Sequence, residues 1–214
     1  MDTVGRHFDG STSLTIMVHG LTASKGDWIE VGGYTKGGEL TRMLEDHQRS
    51  WIAGDLYGHG DWIADEPGFN TEDISDDLWP SFIARSATGM VEILQKASDE
   101  FHYTSLDIVT YSLGAVVAAQ AIGRGLPIEL RRIATAVPAA DSEHDDELSL
   151  HNNLSAFSSV PVFVAVAEHD EEVSTDDVRW FFDQIPGTNK TTRTYDSGHS
   201  LPSAWTIDAM DFLT

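Results

Sequence analysis

Cysteine is absent from the 214 residues of this sequence, and lysine is scarce. The missing thiols exclude disulfides, thiolate metal sites and a cysteine nucleophile, so any nucleophile must be Ser, Thr, Lys or a carboxylate. No apolar run approaches the roughly 18 residues needed to cross a bilayer, so we expect no membrane span. The N-terminus lacks a cationic segment followed by an apolar one, which predicts a cytoplasmic protein without a secretion signal.

Acidic side chains outnumber basic ones, with 35 Asp and Glu against 13 Lys and Arg and a formal net charge of −22. A nucleic-acid binder needs a basic surface, and no basic cluster longer than Arg131-Arg132 occurs, so nucleic acid is excluded as a partner. Lysine-poor acidic surfaces suit concentrated salt, where the Debye length falls to about 3 Å at 1 M. The composition predicts a halophilic protein from a high-salt environment. The alternative is an acidic enzyme that its net charge keeps soluble.

Short apolar runs rich in β-branched residues alternate with longer stretches of helical periodicity. This alternation predicts an α/β fold, with a mostly parallel central sheet and helices on both faces, in a single domain spanning residues 1–214. The predicted strands are Leu14–His19, Trp51–Asp55, Leu106–Tyr111, Ile133–Val137, Val160–Ala167 and Thr191–Tyr195. The predicted helices are Gly38–His47, Ile74–Ala97, Ser112–Arg124, Asp145–Phe157, Thr175–Gln184 and Leu201–Phe212.

Two segments fall outside this alternation. Arg6–Asp9, before Gly10, is expected to form a hairpin with the first buried strand. Ala139–Ser159 is a polar insertion between two strands, and we interpret its acidic run Asp141–Glu147 as a solvated face rather than a metal site. In an open parallel sheet, ligands bind outside the carboxyl ends of the strands, so the chemistry is expected at that edge.

Ser112 directly follows the predicted strand Leu106–Tyr111 and precedes the small apolar residues Ala115–Ala119. A strand, a sharp turn and a helix in this order hold a serine hydroxyl clear of the backbone. They also place it at a helix N-terminus, whose dipole favours developing negative charge. Small neighbours such as Gly114 allow the turn. Ser112 is therefore the candidate nucleophile.

A serine hydroxyl is a weak nucleophile at neutral pH and needs a base that a third group orients. His199 lies between the last predicted strand and the final predicted helix, at the same sheet edge, and is the candidate base. Asp170 follows the apolar run Val162–Ala167 and is the candidate acid that holds the histidine in one tautomer. Three neighbouring carboxylates are alternatives for that acid: Glu168, Glu171 and Glu172.

The order Ser112, Asp170, His199 resembles the order of the catalytic groups in the α/β-hydrolase family. Three further segments agree. Residues 19–22 (His-Gly-Leu-Thr) resemble the family's oxyanion loop, residues 55–60 (Asp-Leu-Tyr-Gly-His-Gly) its Asp-x-x-Gly-His-Gly turn, and residues 197–199 its histidine loop. These segments are spread over nearly the whole chain, and the resemblance is to a serine esterase or lipase-like branch with little or no cap domain.

The resemblance also implies how the site is completed. It assigns the oxyanion hole to the backbone N–H groups of Leu21 and Leu113, and the loss of one such donor typically costs about 3–4 kcal/mol of transition-state stabilisation. The family often carries a cap domain where Ala139–Ser159 lies, but this insertion is too short for a large one, so we expect an open site. Thr110 stands where the family usually has glycine, which makes the turn more crowded; activity is still expected.

Aromatic side chains follow several predicted strands, where an acyl or alcohol pocket could form. Trp28, Trp62 and Trp79 are the candidate pocket residues, with Trp28 foremost because it follows the oxyanion loop. His19 and His59 belong to the motif segments, and we expect them to make turn hydrogen bonds rather than to take part directly in catalysis.

These residues predict a serine hydrolase that cleaves small carboxylic esters, with short to medium acyl chains, through an acyl-enzyme intermediate. Such a reaction needs neither a metal nor an organic cofactor, and the acidic surface favours neutral or cationic substrates. The pattern leaves the oligomeric state open.

Two other functions stay open. The segment 19–28 is similar to the corresponding part of menaquinone-pathway lyases and carbon–carbon hydrolases of the same family, which often act on anionic substrates. That reading needs basic residues in the pocket, for which four are available: Lys25, Lys36, Arg85 and Arg124. The second alternative is a noncatalytic small-molecule receptor that uses the same pocket, because a fold alone does not determine function.

Overall fold

One sheet of seven strands organises the chain. A computed structural model describes residues 3–65, 69–71, 74–75, 77–140 and 149–214. In this part of the chain the strands are β1 (Thr3–Arg6), β2 (Ser13–Val18), β3 (Ser50–Gly54), β4 (Ser105–Tyr111), β5 (Glu129–Ala136), β6 (Val162–Ala167) and β7 (Lys190–Tyr195). The α-helices there are α1 (Gly37–Asp46), α2 (Trp79–Phe101), α3 (Gly114–Arg124), α4 (Thr175–Gln184) and α5 (Ala204–Leu213).

The strand order across the sheet is β1-β3-β2-β4-β5-β6-β7. Every pairing is parallel except that of β1 with β3. The predicted α/β fold with a mostly parallel sheet is therefore confirmed. Because parallel strands end at the same edge, the segments after β2, β4, β6 and β7 meet there.

Alternate residues of the sheet pack into two separate hydrophobic layers. In β2, Ile16 and Val18 belong to the layer that contains α2, α3 and α4, whereas Met17 belongs to the layer that contains α1 and α5. This alternation follows from the period of two along a strand, and it places helices on both faces of the sheet. Within the described residues, each helix is too short or too polar to traverse a bilayer.

The first strand corrects one prediction. The N-terminal segment does form a strand, but β1 pairs with β3 rather than with the first buried strand, with Thr3 opposite Gly54 and Arg6 opposite Trp51. The two strands approach closely at Gly5, where a Cβ atom would lie 2.5 Å from the Trp51 carbonyl oxygen. The expected hairpin of residues 6–9 is therefore wrong.

The long second helix begins later than the predicted Ile74. It starts at Trp79, with Pro80 in its first turn, a place where the missing N–H of proline is not needed. It ends at Phe101, before His102, whose φ of +57° is left-handed and stops the helix.

The predicted helix Asp145–Phe157 is not found in residues 149–157. These residues form two short 3₁₀ turns, Leu150–Asn152 and Leu154–Phe157, and the buried side chains of Leu150 and Phe157 fasten them to the core. Residues 141–148, with the acidic run Asp141–Glu147, lie outside the described residues. The described part of the insertion is thus a short layer packed on the domain rather than a large cap.

Candidate active site

Ser112 lies in a sharp turn between β4 and α3. Its φ is +50°, a left-handed conformation that residues other than glycine rarely adopt. The backbone holds the turn on both sides, because the Ser112 N–H donates to the Ala136 carbonyl (2.9 Å) and the Ser112 carbonyl accepts from the Ala115 N–H (3.1 Å). The serine is thereby held beyond the end of β4, at the N-terminus of α3.

Two glycines let other backbone segments pack against this turn. A Cβ atom on Gly114 would lie 2.4 Å from the Val18 carbonyl oxygen, and one on Gly20 would lie 3.0 Å from the Ser112 Cβ atom. A larger residue at either position would push the serine turn away from the loop that follows β2.

Thr110 stands where glycine would be expected from the sequence resemblance. Its side chain is fully buried, and its hydroxyl donates to the Thr135 hydroxyl of β5 (2.8 Å). The extra atoms are therefore accommodated within the sheet by a hydrogen bond between two strands.

His199 and Asp170 form a buried pair in the loops after β7 and β6. The Nδ1 atom of His199 lies 2.8 Å from Asp170 Oδ2 and 3.1 Å from Oδ1. Because a carboxylate only accepts, Nδ1 carries the proton, and the Nε2 atom of a neutral ring keeps its lone pair. Asp170, rather than a neighbouring glutamate, therefore contacts the Nδ1 side of His199.

Asp170 is kept ionised by its hydrogen bonds. Burial tends to raise its pKa, but the hydrogen bond from His199 and those from the backbone N–H groups of Val173 and Glu172 (both 2.9 Å) hold the pKa below its usual value. A charged carboxylate in this place accepts the Nδ1 proton of His199 and so fixes the orientation of the ring.

Tyr111 joins the end of β4 to the histidine loop. Its hydroxyl donates to the carbonyl oxygen of His199 and accepts from the N–H of Leu201 (3.2 Å), and its ring packs edge-on against the His199 ring at 5.7 Å between centroids. Burial raises the pKa of Tyr111, which therefore stays protonated and able to donate. The sequence offered only one hint of this role, a polar tip at the end of a buried strand next to Ser112.

Two backbone N–H groups near the serine donate to none of the described residues. In the described part of the chain, the N–H groups of Leu21 and Leu113 donate no hydrogen bond to another residue. Leu21 lies in the loop after β2, and Leu113 directly follows Ser112. Both groups are therefore available to a ligand.

A cavity of about 360 Å³ lies at this edge of the sheet. Ser112, His199 and Leu21 line it, and its charged lining residues in the described part of the chain are Asp27 and Glu172. The remaining described lining residues are Gly20, Thr22, Ala23, Tyr34, Thr35 and Tyr111. The cavity thus brings together a serine, a histidine and a free N–H donor in acidic surroundings.

Three loops meet at the cavity through contacts of Tyr34 with Glu172 and Ser200. The Tyr34 hydroxyl donates to Glu172 Oε1 (3.1 Å), and the Ser200 hydroxyl donates to the Tyr34 carbonyl (2.8 Å). Glu172 Oε2 lies 3.7 Å from Nε2 of His199. Glu172, considered above as an alternative triad acid, therefore lies on the opposite side of the ring from Asp170.

No hydrogen bond joins the Ser112 hydroxyl to the His199 ring among the described residues. The two side chains share the cavity, and in free enzymes such bonds are often long and tighten when substrate binds.

The three candidate pocket tryptophans lie elsewhere. Trp28 is completely buried in the core layer of α1 and α5, where a Cβ atom on Gly37 would lie 2.5 Å from its ring. Trp62 packs on Tyr57, and Trp79 packs on Phe82, each with 5.4 Å between ring centroids. In the described part of the chain none of the three is among the residues that line the cavity of Ser112, and the complete burial of Trp28 corrects its assignment to the pocket.

Comparisons with known proteins agree with this architecture. No family model matches the chain, and no curated protein matches it significantly. Solved structures do match. TT1662 from Thermus thermophilus has a TM-score of 0.75 at 16% identity, over 99% of this chain and 91% of that one. A monoacylglycerol lipase from Paleococcus ferrophilus has a TM-score of 0.71 at 13% identity, over 100% and 98%.

A third structure shows Est1E from Butyrivibrio proteoclasticus with ferulic acid bound. Its TM-score is 0.70 at 13% identity, over 99% of this chain and 93% of that one. The resemblance seen in the sequence is therefore confirmed for the fold, and this chain has the α/β-hydrolase fold.

Proposed function

We propose that this protein is a serine hydrolase that cleaves small, neutral or cationic carboxylic esters. One observation carries the proposal: His199, which binds the buried Asp170 side chain, lines the same cavity as Ser112, and the backbone holds Ser112 in a left-handed turn. A nucleophile, a base and a group that orients the base are the parts that acyl transfer requires.

The first half of the reaction is acylation. Ser112 Oγ attacks the ester carbonyl carbon while Nε2 of His199 takes the hydroxyl proton, and Asp170 stabilises the imidazolium that forms. The N–H groups of Leu21 and Leu113 donate to the oxygen as it becomes negative. When the tetrahedral intermediate collapses, the bond to the alcohol breaks, and His199 returns the proton to the leaving oxygen.

The second half is hydrolysis of the acyl-enzyme. His199 takes a proton from water, the resulting hydroxide equivalent attacks the acyl carbon, and the same two N–H groups stabilise the new tetrahedral intermediate. Cleavage of the bond to Ser112 Oγ releases the carboxylic acid, and the serine recovers its proton from His199.

The size and charge of the cavity support small substrates without negative charge. Its volume of about 360 Å³ is near the lower end of ligand pockets, which suits a short or medium acyl chain. Its charged lining residues in the described part of the chain, Asp27 and Glu172, are both acidic. An anionic substrate would be repelled there.

The basic residues that a lyase with an anionic substrate would need are engaged elsewhere. Lys25 binds Asp55 and Asp61, and Arg85 binds Asp65. Lys36 donates to the Gly32 carbonyl and Arg124 to that of Gln120. Among the described residues, none of these four cations lines the cavity. This favours ester hydrolysis over the lyase alternative.

The test is hydrolysis of p-nitrophenyl esters from acetate to palmitate by the wild type, Ser112→Ala and Ser158→Ala. Ser158 is an exposed serine outside the cavity and serves as the matched control. We expect turnover of the short esters, loss of turnover only in Ser112→Ala, and labelling of wild-type Ser112 by a fluorophosphonate. A folded wild type that neither turns over any ester nor takes up the label would refute the proposed hydrolase function and favour the noncatalytic receptor.

The same assay tests adaptation to salt. We propose that the net charge of −22 makes the folded state self-repelling at low ionic strength. Screening at molar KCl, where the Debye length is about 3 Å, relieves this repulsion. We therefore expect activity and Tm to rise together from low salt to molar KCl, and a flat response would contradict the halophilic origin.

A further inference from the structure

Two buried histidines connect the loop after β2 to the loop after β3. His19 and His59 are almost fully buried, and their rings lie 5.4 Å apart between centroids. Neither lines the cavity of Ser112 in the described part of the chain. Their ring nitrogens instead bind the backbone on both sides of Leu21.

His19 binds the peptide before Leu21. Its Nδ1 atom lies 2.7 Å from the Gly20 carbonyl oxygen, which can only accept, so Nδ1 carries the proton. Its Nε2 atom accepts from the Leu56 N–H (2.9 Å), so it carries no proton. Burial lowers the pKa of His19 to about 4, and the ring is neutral at ordinary pH.

His59 binds the peptide after Leu21 through its other ring nitrogen. Its Nδ1 atom lies 3.0 Å from the Tyr57 carbonyl oxygen, and its Nε2 atom accepts from the Thr22 N–H at 3.2 Å. Burial lowers the pKa of His59 as well. Both rings are thus held in one neutral tautomer by one donated and one accepted hydrogen bond.

Because a peptide bond is planar, these contacts also orient the Leu21 N–H. In a trans peptide the C=O and the N–H point in opposite directions. His19 holds the Gly20 carbonyl, so the Leu21 N–H of the same peptide points away from His19. His59 holds the N–H of the next peptide at Thr22, whose φ of +60° is left-handed and needs such support.

We infer that His19 and His59 are positioning residues that clamp the two peptides around Leu21 and aim its N–H at the oxygen that becomes negative during catalysis. The inference rests on the proposed function, in which Leu21 is an oxyanion donor. It adds a condition, because only a neutral ring lets His59 accept from Thr22 and lets His19 stay anchored to Leu56. A protonated ring has no lone pair to accept from Leu56 or Thr22.

The charged groups around the clamp are few. His19 Nε2 lies 4.0 Å from Oδ1 of the buried Asp55 carboxylate, which Lys25 binds in turn. Asp55 favours protonation of both histidines, whereas Lys25 and the second histidine oppose protonation of His19. Around His59, the ring of Phe82 in α2 packs without charge.

The first test reads the tautomers of the wild type by long-range ¹H–¹⁵N NMR of the histidine rings. We expect both rings as neutral Nδ1–H tautomers at pH 7 to 8, because burial lowers the pKa of each ring. A Nε2–H tautomer or a protonated ring at pH 7, for either histidine, would overturn the clamp. This readout needs no turnover, so it separates failure of the clamp from failure of the proposed hydrolase.

The second test compares His59→Gln, which offers an acceptor near the Nε2 position, with His59→Leu, which offers none. His47→Leu, at an exposed histidine, is the matched control. We expect His59→Leu to lower kcat about 10- to 100-fold with little change in KM, and His59→Gln to recover most of kcat. Affinity for butylboronic acid, which forms a tetrahedral adduct with Ser112, should fall with kcat. A loss of kcat without a parallel loss of boronate affinity would overturn the inference.

Discussion

Replacing Asp170 with asparagine should reverse the tautomer of His199. Oδ1 of Asp170 accepts the N–H groups of Glu172 and Val173, while Oδ2 is the oxygen closer to His199 Nδ1 (2.8 Å). In Asp170→Asn the amide oxygen keeps the two backbone donors, so the NH₂ group takes the place of Oδ2. Because NH₂ only donates, His199 must accept at Nδ1 and carry its proton on Nε2.

A proton on Nε2 leaves the histidine unable to take the proton of Ser112. A base in the wrong tautomer typically costs about 10⁴-fold in kcat, which is about 5 kcal/mol of activation free energy. The assay is kcat for p-nitrophenyl acetate, with Asp196→Asn as control because that carboxylate is exposed and binds only His169 among the described residues. A folded Asp170→Asn variant that keeps more than a tenth of wild-type kcat would refute this role.

Three further changes have defined outcomes. Gly114→Ala should lower the free energy of unfolding, measured by urea titration, by about 1–3 kcal/mol. It should also reduce kcat, because the new Cβ atom would lie 2.4 Å from the Val18 carbonyl oxygen. The control is Gly123→Ala, which has open space around its Cβ atom and should be neutral or stabilising. The low pKa of His19, about 4, stabilises the native state above pH 6.5. Urea titrations should therefore show the stability advantage of the wild type over His19→Gln shrinking by about 3 kcal/mol as the pH falls from 7 to 4, and a constant gap would contradict this pKa. Glu172→Gln should narrow the preference of kcat/KM for a choline ester over an uncharged ester of the same acid, and an unchanged ratio would exclude Glu172 from substrate selection.

The sequence predicted the structure correctly where a residue pattern is compatible with only one kind of element. The β-branched runs predicted the buried strands because a parallel strand that is covered on both faces is apolar along its whole length. The serine turn was predictable because Ser112 lies between a buried strand and a run of small residues. The carboxylate that binds Nδ1 of His199 was harder to predict, since four carboxylates lie close together in the sequence, and only the contact with Nδ1 distinguishes Asp170 from Glu172.

Contacts between distant segments could not be read from the sequence. The N-terminal strand pairs with β3 rather than with β2, which follows it in sequence, because strand order depends on the packing of the whole sheet. Tyr34 and Glu172 reach the cavity from loops that no motif connects. Trp28 follows the oxyanion loop in sequence, yet its large apolar ring is buried in the core, because burying such a ring is worth more than placing it in an open cavity.

The left-handed backbone at Ser112 implies a conflict between thermal stability and reactivity. Glycine adopts this conformation without the penalty of about 1–2 kcal/mol that other residues incur, so Ser112→Gly would relieve strain at the same time as it removes the hydroxyl. Under the proposed mechanism, selection for heat resistance alone would therefore favour loss of the nucleophile at this position. Engineering for higher thermal stability must therefore also screen for turnover. Stabilising substitutions are best sought far from the serine turn.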